Sequence, residues 1–121
     1  MLIALWIINI LLALVMLGAG GMKLAKTKDD YVKGGMGWAE NVSSTNIKLI
    51  GLLEVIGAVG LILPLALDIA AVLSPIAAIG LAIIMIGAVF THLRRKEGVG
   101  MQVVLVLLAA ASAVIGFIEV L

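Results

Sequence analysis

One acidic residue inside an apolar run is the first candidate for chemistry in this chain. Glu54 stands about seven residues into the stretch Ile47–Leu67. Read as a helix at about 1.5 Å per residue, that places the carboxyl roughly 10 Å inside the span. Its same-face neighbours, three and four residues away, are Ile50, Gly51, Gly57 and Ala58. Most of them are small, so this face packs closely on other helices and carries Glu54 inward. An ionisable group within a membrane is costly and marks a functional site by default.

Two further groups are expected at the same membrane face. Lys23 closes the first apolar run, with Gly20, Ala19 and Met16 beneath it, and His92 closes the third, above Val89, Ala88 and Met85. Either can reach Glu54, so a Glu54–Lys23 or a Glu54–His92 pair is expected. Two readings of the trio stay open. In one, Glu54 is a buried structural residue whose partner fixes the helix register. In the other, Lys23, Glu54 and His92 line a polar pocket for a quinone, a lipid head group or another amphipathic ligand. Alone, Lys23 is an ordinary interface anchor and His92 a helix-terminal residue favoured by the dipole.

The elements that must position these groups follow from composition. The 121 residues are 64% apolar and only 12% charged, whereas soluble domains carry about a quarter charged residues. A water-soluble fold of this size could not hide so much hydrocarbon, so a soluble globular enzyme is excluded. A bilayer core of about 30 Å takes roughly 20 helical residues. Four spans satisfy that length, at about 1–22, 47–67, 69–91 and 98–118. The fold expected is an all-α integral membrane protein, a single antiparallel four-helix transmembrane bundle over 1–121 with a longer first loop. Small residues in every span allow close helix approach in lipid. Pro75 is expected to kink the third span or mark its first turn.

Charge sets the orientation. The first loop holds Lys23, Lys26, Lys28 and Lys33, and the third holds Arg94, Arg95 and Lys96. The second, around 65–68, has no basic residue. Loops one and three share a side, which the positive-inside rule assigns to the cytoplasm of a plasma (inner) membrane, with both termini outside. No basic segment precedes the first apolar run, so it is expected to stay as an uncleaved helix.

Other marks are weaker. Asn9 lies inside the first span and is expected to hydrogen-bond across helices. Trp6, Tyr31 and Trp38 read as interfacial aromatics. In the first loop Asp29 and Asp30 can cap a short helix, and Tyr31 and Trp38, on a segment lying on the membrane, would roof the pocket. The glycines of Gly34-Gly35-Met36-Gly37 lack the Gly-Lys-Ser/Thr that a phosphate loop requires. The sequon Asn41-Val42-Ser43 carries no meaning in a cytoplasmic loop.

Chemistry carried by the chain alone is narrowly bounded. There is no cysteine and one histidine, so no disulfide, thiolate zinc site or multi-histidine metal or haem site is expected. No serine lies near a base. A net charge of +1 gives no patch for nucleic acid. Redox work would need a bound cofactor, for which a quinone is the candidate.

Three stretches together resemble the DoxX-like family of small four-span membrane proteins. The first span ends Gly18-Ala-Gly-Gly-Met-Lys23-Leu24, the second carries Gly51-Leu-Leu-Glu54-Val-Ile-Gly57, and the third ends Gly87-Ala-Val-Phe-Thr91-His92-Leu93. They occur in order, at matching spacing, and the resemblance covers nearly the whole chain. Many members have Gly-Tyr-Pro after the first loop, where this chain has Gly37-Trp38-Ala39. The resemblance implies mostly architecture. Members of the wider group include a subunit associated with thiosulfate:quinone oxidoreductase, components of membrane redox complexes, and assembly chaperones for channel proteins.

The function expected is therefore an accessory or assembly factor. It would bind a membrane-protein partner or a small amphipathic ligand in the pocket, with a homo-oligomer as one arrangement. The rival is a membrane subunit of a quinone-linked oxidoreductase, in which Glu54 and His92 handle protons. A transporter is disfavoured, because no pair of broken helices is evident.

Overall fold

The computed structural model describes residues 1–35, 43–96 and 98–121. Trp38 and the Gly37–Ala39 stretch lie outside the described residues. Among the described residues five helices follow in order: α1 (Leu2–Ala25), α2 (Lys28–Lys33), α3 (Ser44–Leu67), α4 (Leu73–Arg94) and α5 (Gly100–Val120). Four of them, α1, α3, α4 and α5, are long and apolar enough to cross a membrane. In hydrocarbon every backbone N–H and C=O must find its partner within the protein, which long unbroken helices accomplish.

Each span buries one stripe at three- and four-residue spacing. In α1 it runs Leu5, Asn9, Leu12, Ala13, Met16, Gly20. In α3 it is Ile47, Gly51, Glu54, Ala58 and Leu61. The stripes of α4 and α5 centre on Ala78, Leu81 and Met85 and on Leu105, Ala109 and Ala113. The opposite faces expose Ile, Leu and Val such as Ile3, Leu63, Ile83 and Leu107. A bundle in water would carry charge there; this one offers hydrocarbon to lipid. The helices close a ring in which α1 packs on α3, α3 on α4, α4 on α5 and α5 on α1.

The helix ends shift from the sequence-based limits for local reasons. Lys48, on α3, donates from Nζ to the carbonyls of Leu24 (2.6 Å) and Lys26 (2.9 Å). It thereby caps α1, which runs past Met22 to Ala25, where a cation also suits the helix dipole. Pro64 lies inside α3, which ends at Leu67 with Asp68 left-handed at φ 51°. The N–H groups of Asp68 and Ile69 both donate to the Pro64 carbonyl. Ala70 is left-handed as well, so the chain turns and α4 starts at Leu73 rather than at Ile69. Pro75 is then the third residue of α4, in the first turn, where its missing N–H has no intrahelical role.

A polar clasp ties all four spans near the end opposite α2. Asn9 of α1 donates from Nδ2 to the Leu61 carbonyl of α3 (3.2 Å) and to Ser74 Oγ of α4 (3.3 Å). Ser74 Oγ donates to the same Leu61 carbonyl at 2.8 Å. Ser112 of α5 donates to Asn9 Oδ1. All three side chains are buried, so the expected cross-helix role of Asn9 is realised, with one partner on each neighbouring span.

Candidate functional site

The site begins with two glycines. Gly20 of α1 and Gly51 of α3 face each other so closely that a Cβ on Gly20 would lie 2.6 Å from the Gly51 carbonyl oxygen. A Cβ on Gly51 would in turn lie 2.6 Å from Lys23 Cβ. Lys23 and Glu54 stand three residues beyond these glycines, on the same helix faces. The close crossing therefore brings the two side chains together. Lys23 Nζ lies 2.8 Å from Glu54 Oε1, with the carboxylate side chain fully buried.

The distance is that of an ion pair, so charge at short range joins Lys23 to Glu54. Beyond it, neither carboxylate oxygen has a hydrogen-bond partner among the described residues.

These two residues form part of the wall of a cavity of about 660 Å³ at this end of the bundle. His92 of α4 and Tyr31 of α2 line it too, as do Thr91 and Gln102 of α4 and α5. Its body is apolar, with Met16, Ile84, Met85, Met101 and Leu105 among the lining residues. The methionines, flexible and polarizable, suit an irregular wall. Lys23, Glu54, His92 and Tyr31 thus share one cavity, contributed by four helices, while Trp38 lies outside the described residues.

His92 has a local partner that the sequence-based pairing omits. Its Nε2 lies 3.3 Å from the Gln102 amide nitrogen. The ion pair with Glu54 is thus made by Lys23, and His92 is tied across to α5. Gln102 is a site residue the sequence reading does not single out. Its signal is modest: a polar residue in the first turn of an apolar span, at the same end as His92. Thr91 turns its hydroxyl back to the Gly87 carbonyl at 3.0 Å, the habit of a threonine within a helix.

Tyr31 turns its ring into the protein. It is only 4% exposed and packs with Ile47 and Val32. Helix α2 that carries it has Thr27 as its N-cap, and of the two expected carboxylates Asp30 takes part in the cap. Asp30 N donates to Thr27 Oγ1 (3.1 Å) and Thr27 N to Asp30 Oδ2 (3.0 Å), a reciprocal capping box. These bonds hold the Asp30 carboxyl below its usual range. Burial, and then the nearby Glu54 carboxylate, push the Tyr31 phenol above its usual range.

The arrangement can orient a polar head with a carboxylate, an ammonium, an imidazole, a phenol and an amide while an apolar body fills the rest. Among the described residues no group of three His, Cys, Asp or Glu could hold a metal.

No curated protein and no solved structure matches the chain. The family model for the DoxX-like family matches residues 7–114, a stretch that contains most of each span's buried face and every polar residue named in the cavity. With four apolar helices and a match over most of its length, the chain belongs to the DoxX-like family.

Proposed function

We propose that this chain is an accessory or assembly protein of the plasma (inner) membrane that holds a small amphipathic molecule in the cavity at the Glu54 end. Loops one and three face the cytoplasm in this reading, so the cavity lies in the cytoplasmic leaflet. One observation carries the proposal. Polar groups from every helix converge on a single apolar cavity of about 660 Å³, within the range of about 300–1,000 Å³ in which small-molecule sites fall. A purely structural ion pair does not need Tyr31, His92 and Gln102 around the same space.

The test is native mass spectrometry of the protein released from nanodiscs, which reads bound small molecules and copy number together. Ala88 lines the cavity and is partly buried, so Ala88→Phe fills the space. A co-purified molecule present in the wild type and absent from Ala88→Phe supports the reading. A wild type that carries none, even when incubated with native lipid extract, overturns it. The rival, a membrane subunit of a quinone-linked oxidoreductase, draws on the carboxylate and imidazole in one cavity. It requires a bound quinone and quinone reduction that is lost in Glu54→Gln.

A further inference from the structure

The bundle buries polar side chains at both ends, and only one of the two clusters is complete. Around Asn9 each side-chain nitrogen and oxygen has a hydrogen-bond partner, shared among Asn9, Ser74, Ser112 and the Leu61 carbonyl. Around Glu54 the opposite holds. Among the described residues, its two oxygens are the only buried side-chain nitrogen or oxygen atoms that accept or donate no hydrogen bond. Native interiors rarely leave such atoms unmatched.

The missing interaction has a definite sense. A carboxylate accepts hydrogen bonds and donates none, so what Glu54 can still take, beyond the Lys23 ammonium at Oε1, is a further donor. What it does not lack is a counter-charge, because the Lys23 ammonium sits 2.8 Å from Oε1. A second cation would leave the cavity with an excess positive charge in a low-dielectric wall. A head group with only carbonyl or ether oxygens would set acceptor against acceptor at Glu54. The remaining class is a neutral head with a donor, and of these an O–H makes the shorter bond to a carboxylate than an N–H does. The apolar lining from Met16, Ile84, Met85 and Leu105 requires a hydrocarbon body behind it.

We propose that the cavity takes a neutral amphiphile with a hydroxyl or phenol head that donates a hydrogen bond to Glu54. This rests on the reading that the cavity holds a small amphipathic molecule, and it names the chemistry of the head. Where the molecule has an oxidised and a reduced form, the reduced hydroxyl form is the one held.

Para-octylphenol and its methyl ether, alike in shape apart from the capping methyl but different at the one O–H, test the assignment. Their binding to the protein in nanodiscs is read by native mass spectrometry, with partition into protein-free nanodiscs measured alongside. The phenol should bind at least about tenfold tighter than the ether, the scale of a hydrogen bond to a charged acceptor. In Glu54→Gln the preference should fall below about threefold, because the acceptor is no longer charged.

Equal binding of phenol and ether to the wild type overturns the donor assignment and leaves the cavity reading standing. A phenol preference that persists in Glu54→Gln removes Glu54 as the acceptor. Absence of binding by both probes overturns the cavity reading itself. Should Glu54→Gln not fold, the wild-type ratio still decides between a donating head and none.

Discussion

Gly20 and Gly51 meet backbone to backbone, with the Gly20 Cα proton side only a methyl's breadth from the Gly51 carbonyl. Lipid gives helices no water-driven reason to associate, so such close approach is how α1 and α3 gain packing. It also sets the height at which Lys23 meets Glu54, since each charged residue follows its glycine by three positions. The ion pair is a consequence of the crossing as much as a cause of it.

Substitution at this crossing should therefore act on both. A Cβ at Gly20 or at Gly51 would lie 2.6 Å from its nearest neighbour across the interface, a backbone oxygen for Gly20. Backbone cannot swing aside, so Gly20→Ala should destabilise the bundle by about 1–3 kcal/mol, the range for overpacking. Gly18 and Gly21 have nothing within 4 Å of an added Cβ. Gly18→Ala and Gly21→Ala should be neutral or stabilising by up to about 1 kcal/mol through helix propensity. Reversible unfolding in mixed micelles compares the three. Equal effects at Gly18 and Gly20 would remove the close crossing as the explanation.

The two members of the ion pair should not respond alike to loss of the other. Glu54 is fully buried, whereas the Lys23 side chain is 15% exposed and has a long stem able to reach the membrane surface. Lys23→Met strands a buried charge and should cost about 3–5 kcal/mol. Glu54→Gln should cost distinctly less. The double variant should recover part of the Lys23→Met loss, a coupling of at least about 1 kcal/mol in a double-mutant cycle. Additive single effects would show that the two groups do not sense each other.

The Asn9 clasp is tested by removing its hub. Asn9→Leu breaks bonds to α3, α4 and α5 at once, while Ser112→Ala breaks one. Interhelical hydrogen bonds in membranes average about 0.6 kcal/mol and reach about 1.7. Ser112→Ala should sit near the lower figure and Asn9→Leu at or above the higher. Ser74 keeps its own bond to the Leu61 carbonyl, which limits the loss. Thermal unfolding in a single detergent ranks the variants; Ser112→Ala costing more than Asn9→Leu would mean Asn9 is not the hub.

Much of this was visible in the chain because lipid is a strict solvent. Four apolar runs of membrane length can be little else, and a lone Glu54 among small residues must face inward. The meeting of Lys23, Glu54 and His92 at one end follows from span order alone. Their pairing does not, since Lys23 and His92 can both reach a carboxylate from neighbouring helices, and only the Gly20–Gly51 crossing decides. Lys48 reads as a charge at the edge of a span; that it reaches back to cap α1 depends on where α3 lies against it. Gln102 looks like any helix-terminal polar residue until α5 is set beside His92. Tyr31, between two spans, has the signature of an interfacial anchor. Asp29 and Asp30 mark a helix start in the sequence, but the packing of Tyr31 on Ile47 of α3 is a tertiary fact.

Tyr31 offers the most direct readout of the cavity wall, because it is the chain's one tyrosine and its phenolate absorbance reports on it alone. Burial and the Glu54 carboxylate raise its pKa, so in the folded protein the phenolate should appear only above the ordinary value of about 10. The sign for stability follows. A raised folded-state pKa contributes stability that is complete below the unfolded value and lost as pH rises through the folded one. Glu54→Gln removes the smaller of the two causes and should bring the midpoint part of the way down. Thr27→Val together with Asp30→Ala deletes the capping box, frays α2 and should bring it down further. On the acid side Asp30 titrates below its usual range, so its support for α2 is present above about 3.9 and lost as pH falls through its lowered value. The protection of α2 amides from hydrogen exchange, taken relative to the intrinsic rate at each pH, should fall in acid and follow that loss. A Tyr31 titrating at its ordinary value in the intact bundle would put the phenol in water rather than in the wall beside Glu54.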